Sequence, residues 1–417
     1  MDTYRGNTPA GVLVIEPMGN AGRFLVEAAH QLGISLYAAT HKDIYDTYPA
    51  WLSGALTDVC FTDLADTGRA LADMKAFCLS RPVTAVGVCW ELLSHLAAPL
   101  AAMLNLPGND PLVAQAPRNK IVMAEAFHTA GVPAPRWAPA RDAEHAHRVA
   151  ASHGLGWPLV VKPAEQGGSW GVRVVDGPDQ LTDAVHAAQQ FARALPHGLP
   201  LDRRVLIQEY VPGDEYSADT VVVGGVPYPL PVVRKDTTPG RYRIETGHTC
   251  PAGIPPSLLR RIQHTAARAA LAVGIRNGIA HTELKLTPRA VDPVVIETGA
   301  RLPGGNICEL VEAATGISEA AAYLQAIAGQ IPDTAPTRQQ AAAIRFVLAP
   351  HAGTLQDIRI PPTPGTRHEL HLTPGQYVNG PADSSARLAH IIATATHSAE
   401  AARLAEQAAA RTIVKVS

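Results

Sequence analysis

The chain has 417 residues, of which 47% are hydrophobic, and a formal net charge of −2. Its length exceeds what one hydrophobic core supports, and its apolar content excludes a wholly disordered chain. The near-zero charge and scattered basic residues exclude the electrostatic footprint of a nucleic-acid binder.

Residues 1–10 are polar, and the apolar run 12–15 stops at Glu16, far short of a signal-peptide core or a membrane span. A cytoplasmic protein with no membrane partner is therefore expected. Short apolar runs then alternate with helical patterns: strands at 12–15, 35–38, 59–61 and 83–89, helices at 21–32, 64–79 and 92–104. This order predicts a Rossmann-like domain with a parallel sheet. The turn Met18-Gly19-Asn20-Ala21-Gly22 follows the first strand without the full Gly-x-Gly-x-x-Gly spacing, so it reads first as a tight strand-to-helix turn. The breaker cluster at 106–111 closes this unit.

A helix over 119–130 ends at Gly131-Val132-Pro133-Ala134-Pro135, and an apolar strand over 158–162 ends in Lys162. The loop Gly167-Gly168-Ser169-Trp170-Gly171 and a strand over 172–175 form a hairpin-like flap whose backbone N–H groups suit phosphate oxygens. Lys162, immediately upstream, favours that reading over a plain mobile turn. After a predicted helix over 179–195, the segment from Val205 carries Gln208, Glu209, Tyr210, Val211 and, past a Pro-Gly bend, Glu215. Glu209 and the peptide groups near Val211 suit an adenine edge, and Glu215 suits ribose hydroxyls. Further on, His281-Thr282-Glu283 and Val294-Val295-Ile296-Glu297 read as neighbouring strands whose carboxylates stand fourteen positions apart, a clamp for Mg²⁺. Strands at 341–348, 388–395 and 413–416 and a helix at 399–410 complete the pattern. The five cysteines lack Cys-x-x-Cys spacing and read as buried free thiols.

Taken in order, Asn119-Lys120, Val160-Val161-Lys162-Pro163 with the glycine loop, Gln208-Glu209-Tyr210-Val211-Pro212-Gly213-Asp214-Glu215, His281-Thr282-Glu283 and Glu297-Thr298-Gly299-Ala300-Arg301-Leu302-Pro303-Gly304-Gly305 resemble the ATP-grasp superfamily. The spacing from Glu297 to Gly305, with Glu245-Thr246-Gly247-His248 upstream, is most similar to the carboxylate–amine ligases that include L-amino acid (dipeptide) ligases. The resemblance implies an α/β and α+β ATP-grasp fold. Its parts would be a Rossmann-like domain (1–117), a helical linker and small lid domain (118–204), an antiparallel core with the metal site (205–330) and a C-terminal cap (331–417). It further implies ATP held by Lys120, Lys162, Gly167, Gly168, Ser169, Glu209, Tyr210, Val211 and Glu215. One or two Mg²⁺ ions, with Mn²⁺ as a substitute, would sit on Glu283 and Glu297. Arg301 would face an acyl phosphate, Glu245 and His248 an amino-acid substrate, and Gly304 and Gly305 the acyl substrate, with Gly305 leaving room for a larger carboxylate. His248 would either take a proton from the attacking ammonium or anchor a carboxylate.

Two departures stand out. Gly299 occupies a position where many members of the superfamily carry a metal-binding asparagine, which leaves the metal count open. Asn119 stands where aspartate is common, with little expected consequence. The expected reaction joins a small-molecule carboxylate to an amine, an amino acid in the leading case, with release of ADP and phosphate. Loading of an acyl group onto a carrier-protein thiol, carboxylation of a metabolite, and a non-catalytic nucleotide sensor are the alternatives, and a homodimer is a candidate assembly.

Overall fold

A computed structural model of the chain describes residues 10–287 and 292–417; residues 1–9, on which part of the location reading rests, lie outside the described residues. Strand Gly11–Ile15 is buried at every position, as a strand covered on both faces must be. It pairs in parallel with Ser35–Thr40 and Ala85–Val88, and Asp58–Phe61 adds an edge. Val12 and Val14 face helix Asn20–Leu32, whereas Leu13 and Ile15 face helices Thr67–Leu79 and Ser94–Met103. The first helix stops at Gly33, whose φ of 68° is the left-handed cap that glycine adopts without strain.

A four-stranded antiparallel sheet follows, in the order Trp137–Ala140, Val205–Glu209, Leu159–Pro163, Arg173–Val175. Leu159, Val161, Val205 and Ile207 point to one face and pack under helices Ala143–Ser152 and Leu181–Ala188. Alternation sends Val160, Lys162 and Gln208 to the other face, which opens on a cleft. The helix predicted over 179–195 is shorter, running only from Leu181 to Ala188. Gln189 turns its amide onto the carbonyls of Arg141 and Arg203 at 2.7 and 3.1 Å, and a small hairpin, Arg193–Ala194 with Leu199–Pro200, replaces the remaining turns.

The second half of the chain builds an eight-stranded antiparallel sheet in the order Val294–Gly299, Gly278–Leu286, Asp214–Val223, Val226–Thr237, Glu245–Cys250, Ala341–Leu348, Arg387–Ala395, Thr366–Leu370. Tyr216, Ala218, Leu284 and Val295 bury one face against helix Pro256–Ala272. On the opposite face Val221, Val223 and Ile279 lie under helices Ile307–Thr315 and Glu319–Ile327, which also meet the first helix of the chain. Further along that face the residues turn polar, from Asp219 and His281 to Glu215, Glu283 and Lys285, and form the floor of the cleft. Helix Ser398–Ala410 covers the far end of the sheet through Ala401 and Ala405. The parallel sheet followed by antiparallel sheets is the mixed arrangement the sequence predicts. All five cysteines are buried and free, and among the described residues no helix is long and apolar enough to cross a membrane.

Candidate active site

Antiparallel pairing fixes the centre of the cleft. Glu283 and Glu297 are direct register partners, so both carboxylates rise from the same face, one strand apart. The neighbouring register pairs Glu215 with Lys285, Ser217 with Glu283 and Asp219 with His281, which lays a polar ladder across the floor. From the four-stranded sheet and the helix before it, Lys162 and Lys120 line the same cleft together with Gly167, Gly168 and Ser169. Asn119 caps the helix that begins at Lys120 through hydrogen bonds from the N–H groups of Ile121 and Val122, and its amide nitrogen donates to Glu165 and Asp202. The asparagine thus does locally what an amide can do and a carboxylate cannot. The cavity measures about 300 Å³, at the lower bound for a small-molecule site.

Every acidic group in the cleft has a cation. Lys120 Nζ lies 3.0 Å from Glu297 Oε1 and donates to the carbonyl of Gln166 at 2.6 Å. Lys235, whose side chain is 1% exposed, touches Glu245 and Glu283 at 2.5 Å each and Glu215 at 3.6 Å. Burial would lower the Lys235 ammonium, but the three carboxylates hold it well above the usual lysine value. Burial likewise pushes Glu283 up, and Lys235 with His281 more than offsets it, so the carboxyl titrates well below the usual range. Lys162 has no carboxylate within ion-pair distance among the described residues, and burial beside Lys120 lowers it. Arg301 Nε is 2.6 Å from Glu91 Oε2, and each keeps the other charged against the cost of burial. His281 Nδ1 lies 2.6 Å from Asp219 and Nε2 lies 3.6 Å from Glu283; burial would lower the ring, but the carboxylates raise it to about 9.

The flap is built on left-handed backbone at Gly168, Ser169 and Gly171, with φ of 62°, 62° and 72°. A Cβ on Gly171 would come within 2.7 Å of Phe191, whose ring stacks on Trp170 at 6.1 Å, so glycine is required there. The tip of the flap meets the C-terminal region, where Ser384 N–H donates to Gly168 O at 3.4 Å.

The structure gathers Lys120, Lys162, Gly167, Gly168, Ser169, Tyr210, Val211, Glu215, Glu245, Glu283, Glu297, Arg301, Gly304 and Gly305 around one cleft. It sets two expected residues apart. Glu209 turns away, accepting hydrogen bonds from Arg136 at 2.5 and 3.0 Å and from Gly156 N–H at 2.9 Å, because strand alternation from Lys162 gives the cleft to Gln208. His248 is fully buried behind Glu245, both ring nitrogens lack a hydrogen-bond partner among the described residues, and burial pushes it down to about 3. A neutral ring in that position does not anchor a carboxylate by charge. The space below Gly305 is also filled: a Cβ there would lie 2.6 Å from His248 Nε2, so the missing side chain is answered by the histidine rather than by open volume.

Four participants were not found from the sequence: Glu91, Lys235, Asp219 and Arg387. Glu91 alone had a local signal, since it follows the carboxyl end of strand Ala85–Val88, where parallel sheets hold ligands. Among the described residues no group of three or more His, Cys, Asp or Glu stands ready to enclose a metal ion. Two adjacent carboxylates open to a cleft fit Mg²⁺, which characteristically takes one or two protein carboxylates and completes its shell with phosphate oxygens and water.

Three stretches match known family models: the ATP-grasp N-terminal domain over residues 26–108, the ATP-grasp domain over 155–309, and the L-amino acid ligase C-terminal domain 2 over 345–417. An uncharacterized protein, y4rH, of Sinorhizobium fredii is 25% identical over 406 residues, spanning 95% of this chain and 81% of that protein. The D-alanine–D-alanine ligase of Acidovorax ebreus is 26% identical over 254 residues, 58% of this chain and 73% of the ligase. The crystal structure of an L-amino acid ligase from Bacillus licheniformis superposes with a TM-score of 0.79 at 20% identity, covering 99% of this chain and 100% of that one. Family models and fold agree: the chain carries ATP-grasp domains, matched over residues 26–108 and 155–309, in an ATP-grasp fold.

Proposed function

We propose that the protein is an ATP- and Mg²⁺-dependent ligase that activates a small-molecule carboxylate as an acyl phosphate and joins it to an amine, forming an amide or dipeptide with release of ADP and phosphate. The observation that carries this reading is the register pairing of Glu283 with Glu297 beneath a glycine flap and two lysines in one cleft. The D-alanine–D-alanine ligase and L-amino acid ligase relatives support the amide-forming chemistry. Lys120, Lys162 and the flap would hold phosphates, and Tyr210, Val211 and Glu215 the nucleoside. Glu283 and Glu297 would hold Mg²⁺, which when bound neutralises phosphate charge in the transfer.

A carboxylate oxygen of the first substrate attacks the γ-phosphorus and ADP departs. The amine nitrogen then attacks the acyl carbon, loses its proton, and phosphate leaves. Arg301, held by Glu91, supplies a fixed planar donor where negative charge develops on the acyl oxygen. The flap excludes water, which would otherwise hydrolyse the acyl phosphate. The cytoplasm is the expected site of action.

The test is to incubate the protein with ATP, Mg²⁺ and pooled amino acids, follow phosphate release, and search for condensed products by mass spectrometry. ADP and phosphate appearing only with a particular substrate pair support the reading. AMP and pyrophosphate contradict it.

A further inference from the structure

Arg387 is the one cation of the cleft contributed by the strand Arg387–Ala395, far along the chain from every motif that suggested a site. Its guanidinium carbon lies over the Phe346 ring, 3.8 Å from the centroid, a cation–π contact that helps hold the group in place. One terminal nitrogen donates to Glu245 Oε2 at 2.7 Å and to the Glu245 carbonyl at 3.3 Å. The Nε atom is buried with no hydrogen-bond partner among the described residues, although the side chain is only 11% exposed. A buried donor of this kind is costly unless something accepts from it.

Position tells what the guanidinium faces. Arg387 lies at the end of the cleft marked by Glu245, Gly304 and Gly305, whereas Tyr210, Val211 and Glu215 mark the nucleoside end. A Cβ on Gly305 would be 3.6 Å from the same Glu245 Oε2 that Arg387 holds, so the arginine, the glutamate and the glycine loop share one small space. Two other arginines have an unpartnered buried Nε among the described residues: Arg118 is paired with Glu165 at 3.1 Å and does not line the cleft, and Arg243 is 5.8 Å from the Tyr210 ring and belongs to the nucleoside end. Phosphate-directed cations are already present in Lys120 and Lys162, and Arg301 serves the acyl oxygen. A further guanidinium at the acyl end, set over an aromatic ring and lining the cleft, matches a carboxylate that is not consumed in the reaction.

We propose that Arg387 is the residue that selects the amine substrate, by binding a free carboxylate on it, with Glu245 as the positioning residue that aims the guanidinium. This rests on the ligase reading above. The donor's carboxylate becomes part of the amide, so the carboxylate that Arg387 reads is the acceptor's.

The experiment compares wild type with Arg387→Gln and Arg387→Lys. Two mixtures are offered, the twenty L-amino acids and the matching amino acid amides, and binding in the presence of Mg²⁺ and a non-hydrolysable ATP analogue is read by saturation-transfer NMR. Phosphate release with ATP is followed in parallel. Wild type is expected to prefer acids to amides by at least tenfold. In Arg387→Gln that preference collapses through a rise in KM for the acid of tenfold or more, while affinity for the ATP analogue stays unchanged, which also shows that the variant is folded. Arg387→Lys retains part of the preference. A glutamine variant that keeps the wild-type preference, or a wild type that binds acids and amides equally, overturns the assignment. Acid-selective binding without phosphate release would leave Arg387 in place and refute the ligase reading instead.

Discussion

Replacing Lys235 with methionine isolates the electrostatics of the cleft floor. The side chain is 1% exposed and stands between three carboxylates at 2.5, 2.5 and 3.6 Å. Methionine keeps most of the volume and removes the charge, so the cost is that of stranding buried carboxylates, for which about 3–5 kcal/mol is typical. Each acid keeps one other cationic neighbour: Glu245 has Arg387 at 2.7 Å, Glu215 has Lys285 at 3.5 Å, and Glu283 has His281 at 3.6 Å. The loss therefore falls at the lower end, about 3 kcal/mol. Native-state hydrogen exchange of the amides in Asp214–Val223 and Gly278–Leu286 reads it locally, as opening that is roughly 150-fold more frequent, at 1.36 kcal/mol per factor of ten. Exchange accelerated by less than about tenfold would show that Lys235 is not the counter-charge of these acids.

Arg301→Ala is expected to remove one oxyanion donor, about 2.7–4 kcal/mol of barrier, while nucleotide still binds; a fall in turnover of less than about tenfold in the phosphate-release assay rules out this role. Gly305→Ala combines a φ of 63° with a 2.6 Å approach to His248 and should cost about 2 kcal/mol or more in urea unfolding. Gly304→Ala, with nothing within 4 Å of its Cβ, should cost less than about 0.5 kcal/mol by the same measurement, and equal costs would contradict the packing argument. Glu16 is fully buried, and although burial pushes its carboxyl up, hydrogen bonds from His197, Thr40 and Tyr48 hold it below its ordinary value of 4.5. Its folded value is depressed, so its contribution is present above the unfolded value and lost as pH falls through the folded one. The stability gap between wild type and Glu16→Gln should accordingly be full at pH 7 and narrow below pH 4.5; a gap that stays constant down to pH 3 would show that Glu16 does not titrate as described.

Local patterns carried the parallel sheet, because both-face burial leaves unbroken apolar runs such as Val12 to Ile15. They also carried the strands of Glu283 and Glu297, since the pair needs only a short connection to meet in register. The side chain of Glu209 stands one residue off the cleft: its strand pairs Leu206 with Lys162 and Gln208 with Val160, so the parity set by Lys162 gives the cleft to Gln208. The helix over 179–195 was overestimated because its apolar pattern continues past Ala188, while the hydrogen bonds that end it come from distant carbonyls at Arg141 and Arg203. Asp219 and Arg387 carry no local signal, since each owes its place to the pairing of strands that are not consecutive in the chain, and Lys235, although its own strand forms a hairpin with Asp214–Val223, meets Glu283 only because that strand also pairs with Gly278–Leu286.

If Glu283 and Glu297 together hold the metal of a bound nucleotide, Mn²⁺ can stand in for that metal as a spectroscopic probe. Electron paramagnetic resonance of Mn²⁺ titrated into the protein with a non-hydrolysable ATP analogue should show a nucleotide-dependent bound fraction in wild type that is lost from the double variant Glu283→Gln, Glu297→Gln. Equal Mn²⁺ binding by the two proteins would mean that these two glutamates do not hold the metal.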